Sequence, residues 1–138
     1  MRKVILDQPQ RVGQWVTEQQ GKVWSSMAGA AIGLEEDGQL IAGVIYESWN
    51  RASIHAHIAA LPGRNWLTRE YLKLGFGYPF IQLGCSKIIA MVGEKNLAVQ
   101  RLQKHMGYKL EATLEAAHPD GALLIYTLAR DDRRWILQ

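Results

Sequence analysis

Two histidines lie two positions apart in the apolar run SIHAHIAA, at His55 and His57. If this run is a β-strand, successive side chains point to opposite faces, so both histidines share one face. An imidazole has an unperturbed pKa of about 6.5 and can accept a proton at neutral pH. Either histidine is therefore a candidate general base, although two histidines on a half-exposed strand are more often surface or hydrogen-bonded core residues.

A carboxylate lies on the neighbouring predicted strand. Tyr46 and Glu47 are adjacent there, so their side chains point to opposite faces and only one of them shares the side of the histidines. Glu47 joins the two histidines as a catalytic candidate. A metal site built on the His-x-His pair is not expected, because no third ligand of a suitable type lies close in sequence.

The elements that position these residues alternate between strands and helices. Tight turns at Asp37-Gly38 and Asn50-Arg51 divide residues 29–61 into a three-strand meander. Further strands are predicted at 3–6, 87–92, 108–114 and 123–129, and helices at 9–21, 66–74 and 94–106. Glycines and Pro79 are predicted to interrupt the second helix after residue 74. The order predicts an α/β (α+β) fold with a mixed sheet and helices on its faces.

The composition is typical of a soluble globular protein, and we expect one domain spanning 1–138. Hydrophobic residues make up 48% and charged residues 21% of the chain, which excludes disordered and fibrous classes. The formal charge of +3 is mild, and the single cysteine, Cys85, favours a reducing compartment. No apolar run reaches the roughly 18 residues that a membrane span needs, and no signal peptide is recognisable. We therefore expect a cytoplasmic protein with no membrane partner.

Two segments carry a family resemblance. KIIAMVGEKNLAVQRLQKHMGYKLEATL places Asn96 at a strand-to-helix turn, twelve residues before Tyr108, the aromatic that follows the helix-ending glycine. This arrangement resembles the GNAT superfamily of acyl-CoA-dependent N-acetyltransferases, and RNWLTREYLKLGFGYPFIQLGCSKI is similar to its small prophage-type branch. The resemblance implies acetyl-CoA as co-substrate, an amine on a small molecule, peptide or protein as acceptor, and no metal. It also implies a mostly antiparallel sheet with a splayed central pair of parallel strands, at 53–61 and 87–92.

The resemblance further implies that the co-substrate lies in the cleft between those two strands. The backbone expected to pair with the pantetheine arm is that of Ile58, Ala59, Ala60 and Leu61. An N–H near Ala59 or Ala60 would polarise the thioester carbonyl. Asn96 would cap its helix, reach the pantetheine amides, or do both. His57 lies near the thioester and is preferred as the base for an amine acceptor, whose pKa of about 10.4 keeps it protonated at neutral pH.

The stretch LPGRNWLTREYL, residues 61–72, lacks the glycine-containing phosphate signature of the superfamily. A helix N-terminus can still bind a pyrophosphate through its unpaired backbone N–H groups. The residues expected at this first turn and its anion are Arg64, Asn65, Trp66, Leu67, Thr68 and Arg69, with Asn65 as the cap. No carboxylate precedes Glu70, so a bound anion would offset the unfavourable positive charge at the helix start. A well-capped helix without a ligand is the alternative interpretation.

A second departure affects the catalytic acid. The superfamily commonly has a Tyr seven residues after the Asn, where it protonates the departing thiolate, and this position is Gln103 here. A thiol with a reference pKa of about 8.5 can leave without a strong acid, so the change lowers the rate more than it forbids the reaction. The alternative function is a non-catalytic GNAT-fold interaction or phage-associated protein.

The distribution of charge and the two closing strands indicate which other partners to expect. Nucleic-acid binding is not expected, because the basic residues of 51–73 and 130–134 are interleaved with acidic ones and form no continuous phosphate track. The two closing strands could pair across a homodimer. The acceptor site is expected around residues 15–24 and near Trp49, which carry no recognisable chemistry, and Trp135 is expected to anchor an exposed tail.

Overall fold

The computed structural model describes residues 2–19 and 30–132 of the chain. These residues form a seven-stranded sheet with the strand order β1-β2-β3-β4-β5-β7-β6. The strands are β1 (Arg2–Ile5), β2 (Ala31–Glu36), β3 (Gln39–Glu47), β4 (Ser53–Ala60), β5 (Lys87–Gly93), β6 (Lys109–His118) and β7 (Gly121–Ala129). Neighbouring strands are antiparallel except β4 and β5, which are parallel. The predicted mixed, mostly antiparallel sheet of the α/β (α+β) class is therefore confirmed.

Three helices cover the two faces of this sheet. They are α1 (Pro9–Gln19), α2 (Arg69–Gly77) and α3 (Leu97–His105). On one face, called the α1 face below, Val12 and Val16 pack against Ile5, Leu40 and Ile45. The opposite α2/α3 face buries a larger apolar cluster that includes Ile32, Val44, Ile54, Tyr71, Phe76 and Tyr126. Helices on both faces, as predicted, allow each side of the sheet to leave water.

Two glycines let α1 approach the sheet closely. A Cβ added to Gly43 would lie 2.7 Å from Val16 Cγ2, and one added to Gly33 would lie 2.8 Å from Val12 Cγ2. Neither distance leaves room for a side chain, so the helix lies directly on the backbone of β2 and β3. Gln19, at the end of the helix, consequently reaches the cleft described below.

The parallel strands β4 and β5 pair over only part of their length. Their register joins Ser53 to Lys87, Ile54 to Ile88 and His55 to Ile89. Beyond the third pair the strands separate, although β4 continues to Ala60 and β5 to Gly93. The predicted splayed central pair is confirmed, and it opens a cleft in the middle of the sheet.

Helix α2 begins at Arg69, so the predicted start at residue 66 is wrong. The cap is Thr68, whose hydroxyl oxygen accepts a backbone N–H of the first turn at 3.2 Å, and Asn65 is not the cap. Trp66 is 8% exposed and lies in the apolar cluster of the α2/α3 face. Burying this large aromatic side chain outweighs local helix propensity and keeps the preceding chain irregular.

The kink or break predicted around Gly75, Gly77 and Pro79 takes the form of a change of helix type, three residues later than expected. Helix α2 continues to Gly77, and a π-helical turn follows at Tyr78–Gln82. Pro79 has no N–H to donate, and the Leu83 N–H reaches back five residues to the Tyr78 oxygen at 3.0 Å. The proline is therefore accommodated by a wider turn and not by a break.

The remaining differences concern the ends of elements. Helix α3 begins three residues later than predicted, and β6 extends to His118. The helix end expected near residue 21, the segment 22–26 and Trp135 lie outside the described residues. Within the described part of the chain, the helices are too short or too polar to span a lipid bilayer. β6 is one of the two edge strands and is exposed along most of its length, which leaves an edge where the closing strands could pair across a homodimer.

Candidate functional site

A cleft of about 440 Å³ opens where β4 and β5 separate. This volume is within the usual range of small-molecule sites. The lining residues include His57, Ile58, Asn96, Val99, Gln103 and His118. Three residues expected at the site from sequence, His57, Ile58 and Asn96, therefore meet at one place. His57 and Ile58 lie on β4, and Asn96 lies at the start of α3, 38 positions after Ile58 in sequence.

His57 and Glu47 form a hydrogen-bonded pair on the α1 face. His57 Nε2 lies 2.7 Å from Glu47 Oε1, and the side chains are 14% and 35% exposed. The register explains the pair, because His57 is opposite Ile45 and Glu47 is opposite His55, which sets the two side chains diagonally on one face. Tyr46 belongs to the apolar cluster of the opposite face, so the predicted division between Tyr46 and Glu47 is confirmed.

This pair has the chemistry of a general base. A carboxylate beside an imidazole holds the ring in place and fixes which ring nitrogen carries the proton. His57 lines the cleft, and the partly exposed Glu47 connects it to solvent. His55 lies on the same face but is not among the residues that line the cleft. The geometry therefore singles out His57, supported by Glu47, from the three catalytic candidates.

His118 is a cleft residue that the sequence did not single out. Its ring lies against Gly93, where an added Cβ would fall 2.7 Å from His118 Nε2. The Asp120 N–H donates to His118 Nδ1 at 3.1 Å, so a neutral ring carries its proton on Nε2. No local pattern marks this position, because register shifts along β6 decide where the residue falls.

Asn96 caps helix α3 at the cleft. Its Oδ1 accepts the Val99 N–H at 3.2 Å, so the predicted capping role is confirmed. The same side chain lines the cleft, and its Nδ2 group is a donor that the cap does not use. Contact between Asn96 and a ligand stays a prediction.

Backbone polar groups along β4 alternate between β3 and the cleft. The Leu61 N–H donates to the Ile41 oxygen at 2.8 Å, and the two-residue period gives Ala59 the same direction, toward β3. Ile58 and Ala60 direct their backbone groups the other way, toward β5 and the cleft. Of the two N–H groups expected to polarise a carbonyl, the one on Ala60 has the required direction.

The basic residue before α2 is bound to the protein itself. Arg64 Nη1 lies 3.1 Å from Glu36 Oε1, and Arg2 Nε lies 2.7 Å from Glu36 Oε2. Arg2 also donates to the backbone oxygen of Asn65. Arg64 and Asn65 therefore fasten the crossing chain to β1 and β2 in this structure.

The first turn of α2 contains an acidic residue. Because the helix begins at Arg69, Glu70 lies in that turn and offsets the positive end of the helix dipole. The expectation of a helix start without a carboxylate is thus wrong, and with it the need for a bound anion. Trp66 and Leu67 pack with the core, and Thr68 is the cap. Exposed Arg69 and the first-turn N–H groups are what this segment offers to a phosphate.

Gln103 lies between the cleft and the protein interior. Its side chain is buried, with 3% of the residue exposed, and Oε1 has no hydrogen-bond partner among the described residues. Leaving a buried acceptor without a donor costs about 1–3 kcal/mol, so this oxygen is a place where a ligand donor would be favourable. A carboxamide does not protonate a thiolate, and the position therefore supplies polarity without acid catalysis.

Metal coordination finds no support in residues 2–19 and 30–132. No group of three or more His, Cys, Asp or Glu side chains is close enough there to hold an ion. Cys85 is a free thiol that is fully buried in the core, away from the residues that line the cleft. The polar groups at the cleft are imidazole, carboxamide and backbone groups, with the Glu47 carboxylate beside His57.

No protein-family model matches the chain, and no curated protein matches its sequence. Solved structures do resemble it. An acetyltransferase of the GNAT family from Bacillus anthracis has a TM-score of 0.68 at 11% identity, covering 94% of this chain and 95% of that one. A variant of the spermidine N-acetyltransferase SpeG from Vibrio cholerae has a TM-score of 0.73 at 12% identity over 96% of each chain. The Salmonella typhimurium protein yncA, solved with its cofactor acetyl-CoA, has a TM-score of 0.71 at 13% identity over 94% of each chain.

The likeness to these structures extends over nearly the whole of the chain. The chain therefore has the fold of the GNAT-family acetyltransferases.

Proposed function

We propose that the protein is an N-acyltransferase that transfers an acetyl group from acetyl-CoA to an amine by direct attack in a ternary complex. The observation that carries this proposal is the cleft between the separated ends of β4 and β5. The His57–Glu47 pair lies on one side of it and the buried Gln103 carboxamide on the other. A base and a buried polar group thus meet within a fold that acetyltransferases use.

The open edge of β4 suits the pantetheine arm of acetyl-CoA. Ala60 directs its backbone groups toward the cleft, where an extended ligand can pair with them like an added strand. Asn96 offers an amide donor at the start of α3. Arg69, which is exposed at the first turn of α2, would meet the phosphates. Arg64 would contribute only if its ion pair with Glu36 opened.

Different groups of the cleft have different roles in the proposed transfer. Acetyl-CoA supplies an acyl group that is activated as a thioester. His57 takes the proton of the amine, directly or through water, while Glu47 holds the imidazole at Nε2. The Ala60 N–H donates to the acyl oxygen as negative charge develops on it. A bond forms between the amine nitrogen and the acyl carbon, the C–S bond breaks, and CoA leaves as a thiolate that takes its proton from water, because Gln103 has none to give.

The acceptor is proposed to be an amine on a small molecule, a peptide or a protein. The spermidine N-acetyltransferase of similar fold is named for a polyamine. The partly exposed carboxylate of Glu47 would attract such a cation toward the α1 face of the cleft. We further propose a cytoplasmic location, membership of the small prophage-type branch, and homodimer formation through the β6 edge.

A non-catalytic GNAT-fold interaction or phage-associated protein is the second candidate. Two observations favour it. Gln103 stands at the position of the catalytic acid, and Arg64, which was expected to bind phosphate, is paired with Glu36. Such a protein would bind CoA weakly or not at all, and it would release no thiol.

Binding and turnover separate the two candidates. Isothermal titration and thermal shift with CoA and acetyl-CoA measure binding, and we expect saturation below about 1 mM, the upper end of usual enzyme affinities. Thiol release is then followed with polyamines, amino-acid amides and peptides as acceptors. Failure of acetyl-CoA to bind would contradict the proposal. Binding without thiol release for every amine would favour the non-catalytic candidate.

A further inference from the structure

An apolar cavity of about 40 Å³ lies inside the α2/α3 face, next to the cleft. Its apolar wall includes Val44, Trp66, Leu72, Phe76, Ile88 and Met106. Three residues, Ala56, Ile58 and Gln103, line both this cavity and the cleft. The cavity therefore adjoins the cleft at the point where β4 leaves β5.

Three tyrosines, Tyr46, Tyr71 and Tyr108, line this cavity, and two of their hydroxyl groups bond to backbone oxygens. The Tyr46 hydroxyl donates to the Gly75 backbone oxygen, and the Tyr71 hydroxyl donates to the Ile32 oxygen at 2.9 Å. Burial raises the pKa of both tyrosines above the ordinary value, so neither carries a charge. A buried water needs two to four polar partners, and this wall is poor in them. The cavity therefore favours an apolar guest.

Gln103 provides an independent indication of a ligand. Its buried Oε1 lacks a donor among the described residues and lies in the wall that the cavity shares with the cleft. In an acyl-CoA, the acyl chain and the nearest pantetheine amide N–H lie on opposite sides of the thioester. Gln103 lines both the cavity and the cleft. An acyl chain could therefore enter the cavity while the pantetheine amide N–H donates to Gln103 Oε1 from the cleft.

Building on the proposed function, we infer that this cavity is an acyl pocket and that the protein accepts short-chain acyl-CoA substrates longer than acetyl-CoA. One water needs about 10–15 Å³ of such space, so 40 Å³ holds about three heavy atoms. The two and three carbons that lie beyond the carbonyl in propionyl and butyryl groups fit within this limit, whereas the seven of an octanoyl group exceed it. The transfer is otherwise unchanged, with the C–S bond broken and an amide bond formed.

Two glycines of α2 allow a matched test of the pocket. A Cβ added to Gly75 would lie 3.6 Å from the Tyr46 hydroxyl, in the wall of the cavity, without a clash. A Cβ added to Gly77 would meet nothing within 4 Å, and Gly77 does not line the cavity. Gly75→Ala and Gly77→Ala bring the same gain in helix propensity, but only Gly75→Ala reduces the cavity.

The experiment is isothermal titration of CoA and of acetyl-, propionyl-, butyryl- and octanoyl-CoA into the wild type and both variants. We expect affinity to rise about fourfold for each methylene group from acetyl to butyryl and to rise no further for octanoyl. The ratio of butyryl to acetyl affinity should fall at least about fourfold in Gly75→Ala and stay unchanged in Gly77→Ala.

The possible failures differ in what they overturn. Binding of acetyl-CoA without a gain for propionyl or butyryl, or an equal loss of chain-length preference in both variants, overturns the acyl pocket alone. Failure of CoA and every thioester to bind overturns the proposed function together with the pocket. If the Gly75→Ala protein unfolds near room temperature, the affinities of the wild type for the series of thioesters still test the acyl pocket without it.

Discussion

The two faces of the sheet differ at the cleft in exposure and in chemistry. On the α1 face, His57 and Glu47 form a polar pair that is 14% and 35% exposed at the side chains. On the α2/α3 face, Gln103 is 3% exposed and lies beside an apolar cavity. The strand β4 serves both faces, because successive side chains alternate, and Ala56 and Ile58 face the cavity.

For the proposed acyl transfer, the two faces of β4 would meet two different requirements. A base that accepts a proton from an amine needs a route to water, and the α1 face provides it through Glu47. A thioester and its acyl chain are better held where water is excluded, since hydrogen bonds to the acyl oxygen are stronger at low dielectric. We therefore expect substitutions on the α1 face to change proton transfer, and substitutions on the α2/α3 face to change ligand preference and stability.

The largest effect is expected on the α1 face, for His57→Ala. Removing a general base lowers the rate by about 10²- to 10⁴-fold, while the affinity for acetyl-CoA should stay within about twofold of wild type. Thiol release and isothermal titration measure the two quantities. His55→Ala is the matched control on the same strand and face, and we expect a much smaller loss. Equal losses in the two variants would remove His57 from its role.

A second substitution tests how closely α1 must lie on its face. In Gly43→Ala the new Cβ would lie 2.7 Å from Val16 Cγ2 and 3.1 Å from Val12 Cγ1, so the helix must shift. Overpacking of this kind costs about 1–3 kcal/mol in free energy of unfolding, to be measured by urea denaturation. Gly77→Ala, which meets no neighbour within 4 Å, should lose no stability. A Gly43→Ala protein as stable as wild type would contradict the close contact.

On the α2/α3 face, Gln103→Met tests whether the buried amide oxygen lacks a partner. Replacing a buried amide whose Oε1 has no partner with an apolar side chain of similar shape should raise the free energy of unfolding by about 1 kcal/mol. The same change at Gln100 should lower it, because Gln100 Nε2 donates to the Glu94 oxygen at 2.8 Å. Chemical denaturation of both variants without ligand gives the sign. A loss of stability in Gln103→Met would show that the oxygen is satisfied in solution.

The smallest effect concerns the start of α2 on the α2/α3 face. Thr68→Ala removes the cap and should cost about 1 kcal/mol, whereas Asn65→Ala should cost less than about 0.5 kcal/mol, as at most surface positions. Thermal denaturation of the two variants compares them. The reverse order would restore the helix start that the sequence predicted.

The features that were predicted best from the sequence are those that depend on short-range periodicity. The shared face of His55 and His57, and the choice of Glu47 over Tyr46, follow from the two-residue period of a strand. Asn96 as the cap of α3 follows from its position at a strand-to-helix turn, although the helix itself was predicted to begin at residue 94. Short turns between the strands also made the meander recognisable.

What the sequence could not predict depends on contacts between distant segments. Trp66 has helix-compatible spacing, but its burial against the sheet delays α2 until Thr68 can cap it. His118 reaches the cleft only because β6 shifts its register twice. The burial of Gln103 and the cavity beside it arise where α2, α3 and the sheet meet, and no local pattern encodes a shared wall.

In the proposed function, acyl-CoA binds along the open edge of β4. Amide hydrogen exchange measured by NMR, with and without acetyl-CoA, tests this binding mode. We predict that acetyl-CoA slows exchange at Ala60, whose N–H faces the cleft, and leaves Ala59, which faces β3, unchanged. Saturation with acetyl-CoA that leaves exchange at Ala60 and at Asn96 unaltered would contradict the account.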